Sequence, residues 1–192
     1  EKMAVLEFAA YAAPGLVSSN IKLLRDFAGS YEKVVYKPLD AMGGAGVFVT
    51  SSADPNLPVI LEMLTQNEAR AIMAQMYLPD ISKGDKRVLL INGAPVPYSL
   101  ARIPPEGASR GNLAAGGKGV AQALSKDDLT IALALGPVLA SRGLFLVGLD
   151  IIGNRLTEIN VTSPTGFQEI SAQTPADVGD LFISAIERSF DA

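Results

Sequence analysis

One stretch of the chain, VGLDIIGNRLTEINVTSPT (residues 147–165), limits the possible folds more than any other. It predicts two strands joined by a turn, and its apolar residues fall on both faces, which is typical of a sheet covered on both sides. Three polar residues, Asp150, Glu158 and Asn160, interrupt this pattern. Because side chains alternate along a strand, Glu158 and Asn160 point to the same face. Polar side chains are costly to bury without partners, so three of them in a covered hairpin indicate a ligand or a partner.

The register of this hairpin predicts that two of these acids oppose each other. If residues 153–155 form a three-residue loop, Ile152 pairs with Leu156 and Asp150 lies opposite Glu158. Two directly opposed carboxylates repel, and burial makes both more costly unless a cation lies between them. A hard divalent cation such as Mg²⁺ prefers such oxygen ligands together with substrate phosphates. The alternative is a solvent-exposed hairpin face, on which the acids need no partner.

Composition indicates a globular, acidic protein. The 192 residues are enough for one good core or two small subdomains, and 48% are hydrophobic while 19% are charged. The net charge of −4 argues against general nucleic-acid binding, which needs a basic face. No apolar run is long enough to span a membrane, so we expect neither nucleic acid nor membrane as a partner.

Two absent residue types exclude whole classes of mechanism. The chain contains no cysteine, which excludes disulfides, thiol nucleophiles and thiolate metal sites. It contains no histidine, which excludes an imidazole base and a Ser-His-Asp triad. The remaining groups are carboxylates, Lys, Arg, amides, hydroxyls and backbone N–H groups. These suit phosphoryl-type chemistry, in which positioning and charge neutralisation carry most of the catalysis.

Periodicity and turn signals predict a mixed arrangement of helices and strands. In the first part of the chain we expect helices at residues 1–12, 19–27 and 57–66 and strands at 33–39 and 71–78, with a glycine-rich turn and a returning strand after the first of these strands. In the second part we expect a hairpin around Asn92-Gly93, a loop over 103–119, a helix from the Ser125 cap to Arg142, the acidic hairpin, and a last helix opening at Thr174-Pro175.

A lysine and a glycine-rich turn form the first candidate ligand site. Lys37 lies near the end of a predicted strand, and GGAG (residues 43–46) follows it. Such a loop can lay backbone N–H groups over phosphates. The lysine precedes the glycines and a strand follows them, so this is neither a Walker motif nor a dinucleotide fingerprint. The alternative is a tight hairpin that needs glycine for its positive φ angles.

Three arginines form the second candidate set. Arg87 and Arg102 lie on the two arms of the Asn92-Gly93 hairpin, and a two-residue turn predicts Arg87 opposite Tyr98. Guanidinium groups suit carboxylate and phosphate recognition, although ordinary surface charge is the alternative for each.

The third arginine lies in the glycine-rich loop 103–119. Arg110 and Asn112 fall within it, and a flexible loop carrying a cation can close over an anionic intermediate and exclude water. The alternative is a disordered surface loop.

Taken together and in this order, four segments resemble a known family. KPLDAMGGAGVF, QMYLPDISKGDKRVLLINGAPVPY, LARIPPEGASRGNLAAGGKG and VGLDIIGNRLTEINVTSPTG are similar to the prokaryotic glutathione synthetases of the ATP-grasp superfamily. The resemblance covers essentially all 192 residues, and EINVTSPTG is typical of this family rather than of the superfamily at large. The leading Glu1-Lys2 is similar to the family's segment where the ATP-grasp domain begins, so we expect the family's N-terminal substrate domain to be missing from this chain.

The resemblance implies an α+β ATP-grasp fold of two mixed α/β subdomains that hold a nucleotide between their sheets. Residues 1–78 would form the N-terminal (lid) subdomain, and residues 79–192 the C-terminal subdomain with the metal site and the flexible loop 103–119. The implied activity joins γ-glutamylcysteine to glycine, consumes ATP and passes through an acyl-phosphate. The implied cofactors are ATP and Mg²⁺, with Mn²⁺ as an alternative metal.

The resemblance also implies a role for individual residues. Lys2 and Lys37 would contact the ATP phosphates, and Asp85 the ribose or the hinge between the subdomains. Mg²⁺ would be held by Asp150, Glu158 and Asn160; the transferred phosphate and the oxyanion would be stabilised by Arg87, Arg102 and Arg110; the phosphates would be covered by Met42, Gly43, Gly44 and Ala45; the adenine would be held by backbone groups of Gln75, Met76, Tyr77 and Leu78; Asn112 would belong to the lid that contacts the nucleotide; and Ser163 and Thr165 would meet the peptide substrate.

One position departs from the family pattern, because Ala41 stands where we expect glycine. Alanine is compatible with the loop if its φ angle is negative. Two rival functions remain open at this point: another ATP-grasp carboxylate–amine ligase, and a nucleotide-binding module of the synapsin type without ligase activity. We expect small-molecule substrates, a homo-oligomer for the full-length enzyme and a cytoplasmic location.

Overall fold

A computed structural model describes residues 1–107 and 116–190 of the chain. Its contacts divide the chain into two compact units. The first comprises residues 2–79, and the second comprises residues 80–192 together with Glu1. Both contain helices and antiparallel sheets, which confirms the α+β class.

The first unit is built on a four-stranded antiparallel sheet. Its elements are a 3₁₀ helix (Met3–Phe8), β1 (Gly15–Ser18), α1 (Ile21–Ala28), β2 (Val34–Pro38), β3 (Phe48–Thr50), α2 (Leu57–Thr65) and β4 (Ile72–Met76). The strands lie in the order β1-β4-β2-β3. Helix α1 begins after Asn20, whose side chain accepts a hydrogen bond of 3.0 Å from the N–H of Leu23.

One face of this sheet packs on a hydrophobic core that includes α1 and α2. Leu24, Tyr36, Leu61 and Ile72 are fully buried within it. Since strand side chains alternate, Lys37 projects to the opposite face of the sheet from Tyr36. The candidate phosphate-binding lysine therefore lies on the face that α1 and α2 leave uncovered.

The second unit is built on a five-stranded antiparallel sheet. After a 3₁₀ helix at Pro79–Lys83, its elements are β5 (Asp85–Ile91), β6 (Ala94–Ile103), β7 (Lys118–Ala123), α3 (Lys126–Ser141), β8 (Leu146–Ile152), β9 (Arg155–Asn160), α4 (Phe167–Gln173) and α5 (Val178–Phe190). The strands lie in the order β7-β6-β5-β8-β9.

Helices cover both faces of this sheet, as the apolar pattern of its strands predicts. Helix α3 lies against β5, β6 and β8, and its Asp128 forms an ion pair with Lys86 of β5. Leu89 projects to the opposite face and belongs to a core cluster with Ile170 of α4 and Val178 of α5. The start of β5 on this second face carries charged residues, and the candidate site lies there.

Most predicted elements are present, but three predictions at their ends are wrong. The first helix is a short 3₁₀ helix at Met3–Phe8 rather than residues 1–12, and β1 follows it. The predicted loop 103–119 is too long at its end, because Lys118 and Gly119 already belong to β7. The last helix begins at Val178, because Thr174 ends α4 and its hydroxyl donates a 2.9 Å hydrogen bond to the carbonyl of Ile170.

Among the described residues, no helix is long and apolar enough to cross a membrane.

Candidate active site

The opposed acids of the hairpin are present, although the turn that joins their strands differs from the prediction. Asp150 pairs with Glu158, as predicted, but Ile152 pairs with Arg155, so the turn holds only Gly153 and Asn154. A register shift between Asp150 and Ile151 leaves Thr157 as an extra residue on β9. The bulge restores the residue that the shorter turn removes, and the two carboxylates face each other.

The neighbouring hairpin differs from the prediction in register. Ile91 pairs with Ala94 across the Asn92-Gly93 turn, as predicted, but Arg87 lies opposite Leu100 rather than Tyr98. The shift occurs between Val88 and Leu90, opposite a stretch of β6 that includes Pro97. Proline has no N–H for a central ladder and is accommodated at bulges. The bulge moves Arg102 to a position opposite Asp85.

These two registers bring six polar side chains to one face of the sheet. Arg87 lies opposite Asp150, and residues directly opposite each other in a ladder project to the same side. The set comprises Asp85, Arg87, Arg102, Asp150, Glu158 and Asn160. Residues predicted separately from two hairpins therefore form one constellation.

Four members of the set form a buried network of ion pairs. Arg87 Nε lies 2.6 Å from Asp150 Oδ1, and Arg87 Nη2 lies 3.3 Å from Asp150 Oδ2, so the pair is bidentate. Arg102 Nη2 lies 3.0 Å from Asp150 Oδ1 and 2.6 Å from Asp85 Oδ2. Arg87, Arg102 and Asp150 are each at most 6% exposed. Two acids and two arginines thus neutralise one another away from water.

The network separates the pKa values of its two acids. Burial acts to raise the pKa of Asp150, but Arg102 and Arg87 outweigh it and lower this pKa to about 2. Burial dominates at Asp85, where it raises the pKa to about 6 despite the nearby Arg102. Burial disfavours the charge of Arg102, but the two aspartates prevail and raise its pKa. Asp85 Oδ1 is buried and has no hydrogen-bond partner among the described residues.

The three predicted metal ligands present oxygen donors suited to Mg²⁺. Asp150 and Glu158 face each other, and Asn160 donates a 3.3 Å hydrogen bond through Nδ2 to the carbonyl of Gly148, which directs its amide oxygen away from that carbonyl. No group of three acidic side chains within the described residues is arranged to hold a metal by itself. Two carboxylates and an amide oxygen, completed by substrate phosphates, match the usual surroundings of Mg²⁺. The side chains present therefore fit this ion.

The segment after β9 carries Ser163 and Thr165 and returns towards the same face. The carbonyl of Thr165 accepts a 3.4 Å hydrogen bond from Arg87 Nη1. At the start of the segment, Glu1 Oε1 accepts hydrogen bonds from the N–H groups of Val161 (2.9 Å) and Thr162 (3.0 Å). These two N–H groups lower the pKa of Glu1, with Thr162 contributing most. The predicted substrate-binding residue Thr165 thus lies beside the ion-pair network.

The first unit places the two predicted phosphate-binding lysines in polar surroundings. Lys37 is 7% exposed and donates a 3.0 Å hydrogen bond to Gln75 Oε1, while Gln75 Nε2 is buried without a partner among the described residues. Lys2 is also buried and donates to the carbonyl of Ala41 in the glycine-rich loop.

The glycine-rich loop at residues 41–46 has the positive φ angles that its glycines predict. Gly43, Gly44 and Gly46 have φ angles of 63°, 79° and 68°, and no non-glycine residue of this loop has a positive φ. Ala41 is therefore compatible with the loop conformation. The N–H of Ala45 closes a turn onto the carbonyl of Met42, whose side chain is 86% exposed.

The predicted adenine-binding segment follows β4. The N–H of Met76 donates to the carbonyl of Pro14 (2.9 Å), and the N–H of Tyr77 donates to the carbonyl of Lys33 (3.1 Å). These two backbone donors are engaged, and Leu78 is the next residue along the segment. Arg110 and Asn112, also predicted for the site, lie outside the described residues.

Two residues near the site were not predicted. Glu1 gives no signal in the sequence, because its partners are backbone groups about 160 positions away. Gly148 does give a signal: an isolated glycine inside a strand indicates a bulge or a close approach. A Cβ atom at this position would lie 2.8 Å from both Arg87 Cδ and Pro164 Cβ.

Comparison with known proteins identifies relatives over almost the whole chain. The family model of the prokaryotic glutathione synthetase ATP-grasp domain matches residues 1–175. The chain is 56% identical over 189 residues to the glutathione synthetase of Nitrosomonas europaea, covering 98% of this chain and 59% of that protein. It is 53% identical to the enzyme of Pseudomonas aeruginosa, covering 97% and 59%. The chain thus spans less than two thirds of the length of these relatives.

Solved structures with low sequence identity show the same fold. The D-cycloserine synthetase DcsG superposes with a TM-score of 0.73 at 17% identity, over 98% of this chain and 69% of that one. The ATP-grasp ligase PsnB, solved with a minimal precursor, Mg and ADP, superposes with a TM-score of 0.66 at 20% identity, over 96% and 56%. These likenesses confirm the ATP-grasp fold.

Proposed function

Because the chain belongs to the prokaryotic glutathione synthetase family, with the ATP-grasp domain model matching residues 1–175, we propose that it serves the ATP-dependent ligation of γ-glutamylcysteine to glycine. The observation that carries this proposal is the charged face of the second unit. There the Asp150–Glu158 pair adjoins Arg87 and Arg102. Acids that can hold a metal and arginines that can bind phosphate are the groups that this reaction needs.

The proposed reaction has two chemical steps. In the first, a carboxylate oxygen of the cysteinyl residue attacks the γ-phosphorus of ATP, and the bond to the β-phosphate oxygen breaks to release ADP. In the second, the amine of glycine attacks the carbonyl carbon of the acyl-phosphate. Phosphate then leaves the tetrahedral intermediate with the bonding electron pair, and the amine loses its proton. Both steps concentrate negative charge, which cationic side chains stabilise.

In the first unit, the proposed partners of ATP are lysines and backbone groups. Lys2 and Lys37 pair with the phosphates, and the loop of Met42, Gly43, Gly44 and Ala45 covers them. The segment Gln75–Leu78 holds the adenine. Since the N–H groups of Met76 and Tyr77 are already engaged, we assign Leu78 as the backbone donor.

In the second unit, Asp150, Glu158 and Asn160 are the proposed ligands of Mg²⁺, with Mn²⁺ as the alternative. When bound, the ion neutralises phosphate charge. Asp85 Oδ1 is buried and has no hydrogen-bond partner in the part of the chain that the structure describes, so it can accept from the ribose hydroxyls or the hinge.

Arg87 and Arg102 are proposed to stabilise the transferred phosphate and the oxyanion. Each must then share its guanidinium N–H groups between phosphate and the aspartates that it contacts here. Arg110 and Asn112 remain predicted members of the loop 103–119 that would close over the site. Ser163 and Thr165 are proposed to contact the peptide substrate. We further propose small-molecule substrates, a homo-oligomer for the full-length enzyme and the cytoplasm as its compartment.

Phosphate release from ATP tests the proposal. The assay uses the full-length enzyme and supplies ATP and Mg²⁺ with γ-glutamylcysteine and glycine, and in parallel with other carboxylate and amine pairs such as two D-alanines. We expect release only with the first pair, accompanied by glutathione. Release with another pair would identify a different carboxylate–amine ligase. ATP binding without release for any pair would identify a nucleotide-binding module and would contradict the proposed ligation.

A further inference from the structure

Residues 161–166, here called the exit loop, leave β9 and carry the two residues proposed to meet the peptide substrate. We propose that Gly148 and Glu1 are positioning residues that fix this loop from its two ends. The proposal rests on the proposed function for its substrate, but its structural part can be tested without that function. Neither residue is proposed to touch substrate or metal.

Gly148 provides the space in which the end of the exit loop meets Arg87. The glycine lies on β8, two residues before Asp150 and therefore on the same face of the sheet. A Cβ atom here would lie 2.8 Å from Arg87 Cδ, 2.8 Å from Pro164 Cβ and 3.1 Å from Arg87 Nε. Real Cβ atoms do not approach so closely, so only glycine lets the stem of Arg87 and the ring of Pro164 pack together over this strand.

The side chain of Arg87 connects Asp150, a proposed metal ligand, to Thr165 in the exit loop. Arg87 contacts both carboxylate oxygens of Asp150 through Nε and Nη2. Its remaining terminal nitrogen, Nη1, donates to the carbonyl of Thr165. Because the guanidinium group is planar and rigid, the position of Asp150 fixes the direction in which Thr165 is held. A side chain at position 148 would displace the stem and disturb both contacts.

Glu1 fixes the other end of the exit loop. A single oxygen, Oε1, accepts hydrogen bonds from two successive N–H groups, those of Val161 and Thr162. Hydrogen bonds to an ionised acceptor are stronger than those between neutral groups. The carboxylate therefore defines where the loop leaves β9. Between the two anchors lies Ser163, which is exposed and directly accessible to a ligand.

The chemistry of the exit loop suits the end of a peptide substrate. A loop held at both ends places Ser163 and Thr165 at fixed positions, which lowers the entropic cost of ordering them when substrate binds. If the Glu1 anchor is lost, we expect weaker binding of γ-glutamylcysteine with little change for ATP, because Glu1 contacts the exit loop through the N–H groups of Val161 and Thr162. If Gly148 is lost, we expect the phosphate-transfer step to be affected as well, because Arg87 also contacts Asp150. A purely structural role would instead affect the whole unit.

Amide hydrogen exchange in the ligand-free protein tests the Glu1 anchor independently of activity. In Glu1→Ala we expect the amides of Val161 and Thr162 to exchange about 10-fold faster, because a hydrogen bond to a charged acceptor is lost. In Glu1→Gln, whose amide oxygen can still accept, we expect a smaller increase. Amides of Leu149 and Ile159 within the sheet should keep their rates. Unchanged exchange at Val161 and Thr162 in Glu1→Ala would overturn this anchor.

Steady-state kinetics tests both anchors in the complete enzyme. In Glu1→Ala we expect KM for γ-glutamylcysteine to rise about 10-fold while KM for ATP stays within about twofold. In Gly148→Ala we expect KM for the peptide to rise and kcat to fall as well, because Arg87 is displaced from Asp150. Gly179→Ala in α5, where the nearest atom to a new Cβ is the side-chain oxygen Asp177 Oδ1 at 3.3 Å, is the matched control.

The outcomes separate the inference from the proposed function. Equal rises in KM for ATP and peptide in Glu1→Ala, or kinetics of Gly148→Ala that match those of Gly179→Ala, would overturn the positioning role. If the unmodified enzyme forms no glutathione, the proposed function fails. The exchange rates of Val161 and Thr162 still decide whether Glu1 anchors the loop. Circular dichroism of each variant shows whether the fold is retained, and Glu1→Ala decides if Gly148→Ala does not fold.

Discussion

Arg102 contacts only one of the two carboxylate oxygens of Asp85. The contact between Arg102 Nη2 and Asp85 Oδ2 measures 2.6 Å, whereas Asp85 Oδ1 is buried with no partner among the described residues. An unpartnered carboxylate oxygen in a buried site favours the protonated form of the acid. Burial accordingly raises the pKa of Asp85 to about 6, whereas Arg102 and Arg87 lower that of Asp150 to about 2.

We predict that ionisation of Asp85 lowers the free energy of unfolding of the metal-free protein as the pH rises from about 4 to about 6. The folded state holds this proton more tightly than the unfolded state, whose pKa is 3.8, so in this window the folded state binds more protons and its free energy of unfolding falls with pH. Asp85→Asn removes this dependence. Its stability relative to the unmodified protein should therefore rise by roughly 2–3 kcal/mol between pH 4 and pH 7.

Urea unfolding at a series of pH values measures this difference. Glu187→Gln is the control, because Glu187 is an exposed acid on α5 of the same unit. A carboxyl resonance of Asp85 that titrates near pH 4, or a constant difference between Asp85→Asn and the unmodified protein, would contradict the assignment.

Gly46 should be required by the loop at residues 41–46, which is proposed to cover the phosphates of ATP. Its φ is +68°, and a Cβ atom would lie 2.9 Å from Pro38 Cγ. A left-handed conformation costs a residue with a side chain about 1–2 kcal/mol, and the clash adds to this cost. In Gly46→Ala we expect a lower unfolding temperature and weaker ATP binding by calorimetry. Ala41→Gly, in the same loop, should leave ATP affinity nearly unchanged, and equal ATP affinities for all three proteins would contradict the role of Gly46.

The hydroxyl of Tyr36 should stabilise the first unit. It donates a 3.0 Å hydrogen bond to the carbonyl of Leu24 within the core. Tyr36→Phe leaves this carbonyl without its partner, so we expect a loss of about 1–2 kcal/mol in the free energy of unfolding. Tyr98→Phe is the control, because the Tyr98 hydroxyl has no hydrogen bond within residues 1–107 and 116–190. Equal losses for the two variants would show that the Tyr36 hydrogen bond contributes nothing.

Alkaline titration gives a second measurement on Tyr36. Burial raises the pKa of Tyr36 from 10.0 to about 12. The folded state then keeps a proton that the unfolded state loses, so the stability due to Tyr36 falls as the pH rises above 10. Tyrosinate absorbance should show one residue titrating near pH 12 and disappearing in Tyr36→Phe. Complete ionisation of all tyrosines near pH 10 while the protein remains folded would contradict the buried environment.

The sequence could predict the Asp150–Glu158 pair better than the turn that produces it. A three-residue turn and a two-residue turn followed by a bulge at Thr157 give the same pairing, so the prediction is confirmed although its premise is wrong. Alternation of apolar and polar residues fixes which face a side chain takes. The length of the turn depends on backbone angles that the identities of Gly153, Asn154 and Arg155 do not determine.

The register of Arg87 could not be predicted by counting outwards from the Asn92-Gly93 turn. The count assumes a regular ladder, whereas β6 contains Pro95 and Pro97 and the register shifts by two residues there. Prolines inside a central strand are a signal for such a bulge, but they do not specify its size. The contact of Arg87 with Asp150 depends on pairing between β5 and β8, which are about 60 positions apart, and no local pattern specifies it.

The ends of helices are also difficult to predict from local sequence when tertiary packing decides them. Thr174-Pro175 has the residues of a helix N-terminus, but Thr174 ends α4 and its hydroxyl bonds back to Ile170. A threonine hydroxyl can serve either end of a helix, and tertiary packing decides between them. By contrast, Ser125 and Asp128 form the predicted capping box, because both groups of that motif are local.

Nucleotide binding with and without Mg²⁺ tests the proposed metal site most directly. Titration calorimetry would compare the unmodified protein with Glu158→Gln, with the Asp150→Asn, Glu158→Gln double variant and with Glu187→Gln as the control. We predict that Mg²⁺ strengthens ATP binding by about 10-fold or more in the unmodified protein and the control, and that this gain falls in Glu158→Gln and disappears in the double variant while metal-free binding persists. An equal gain from Mg²⁺ in all four proteins would contradict the assignment of Asp150 and Glu158 as its ligands.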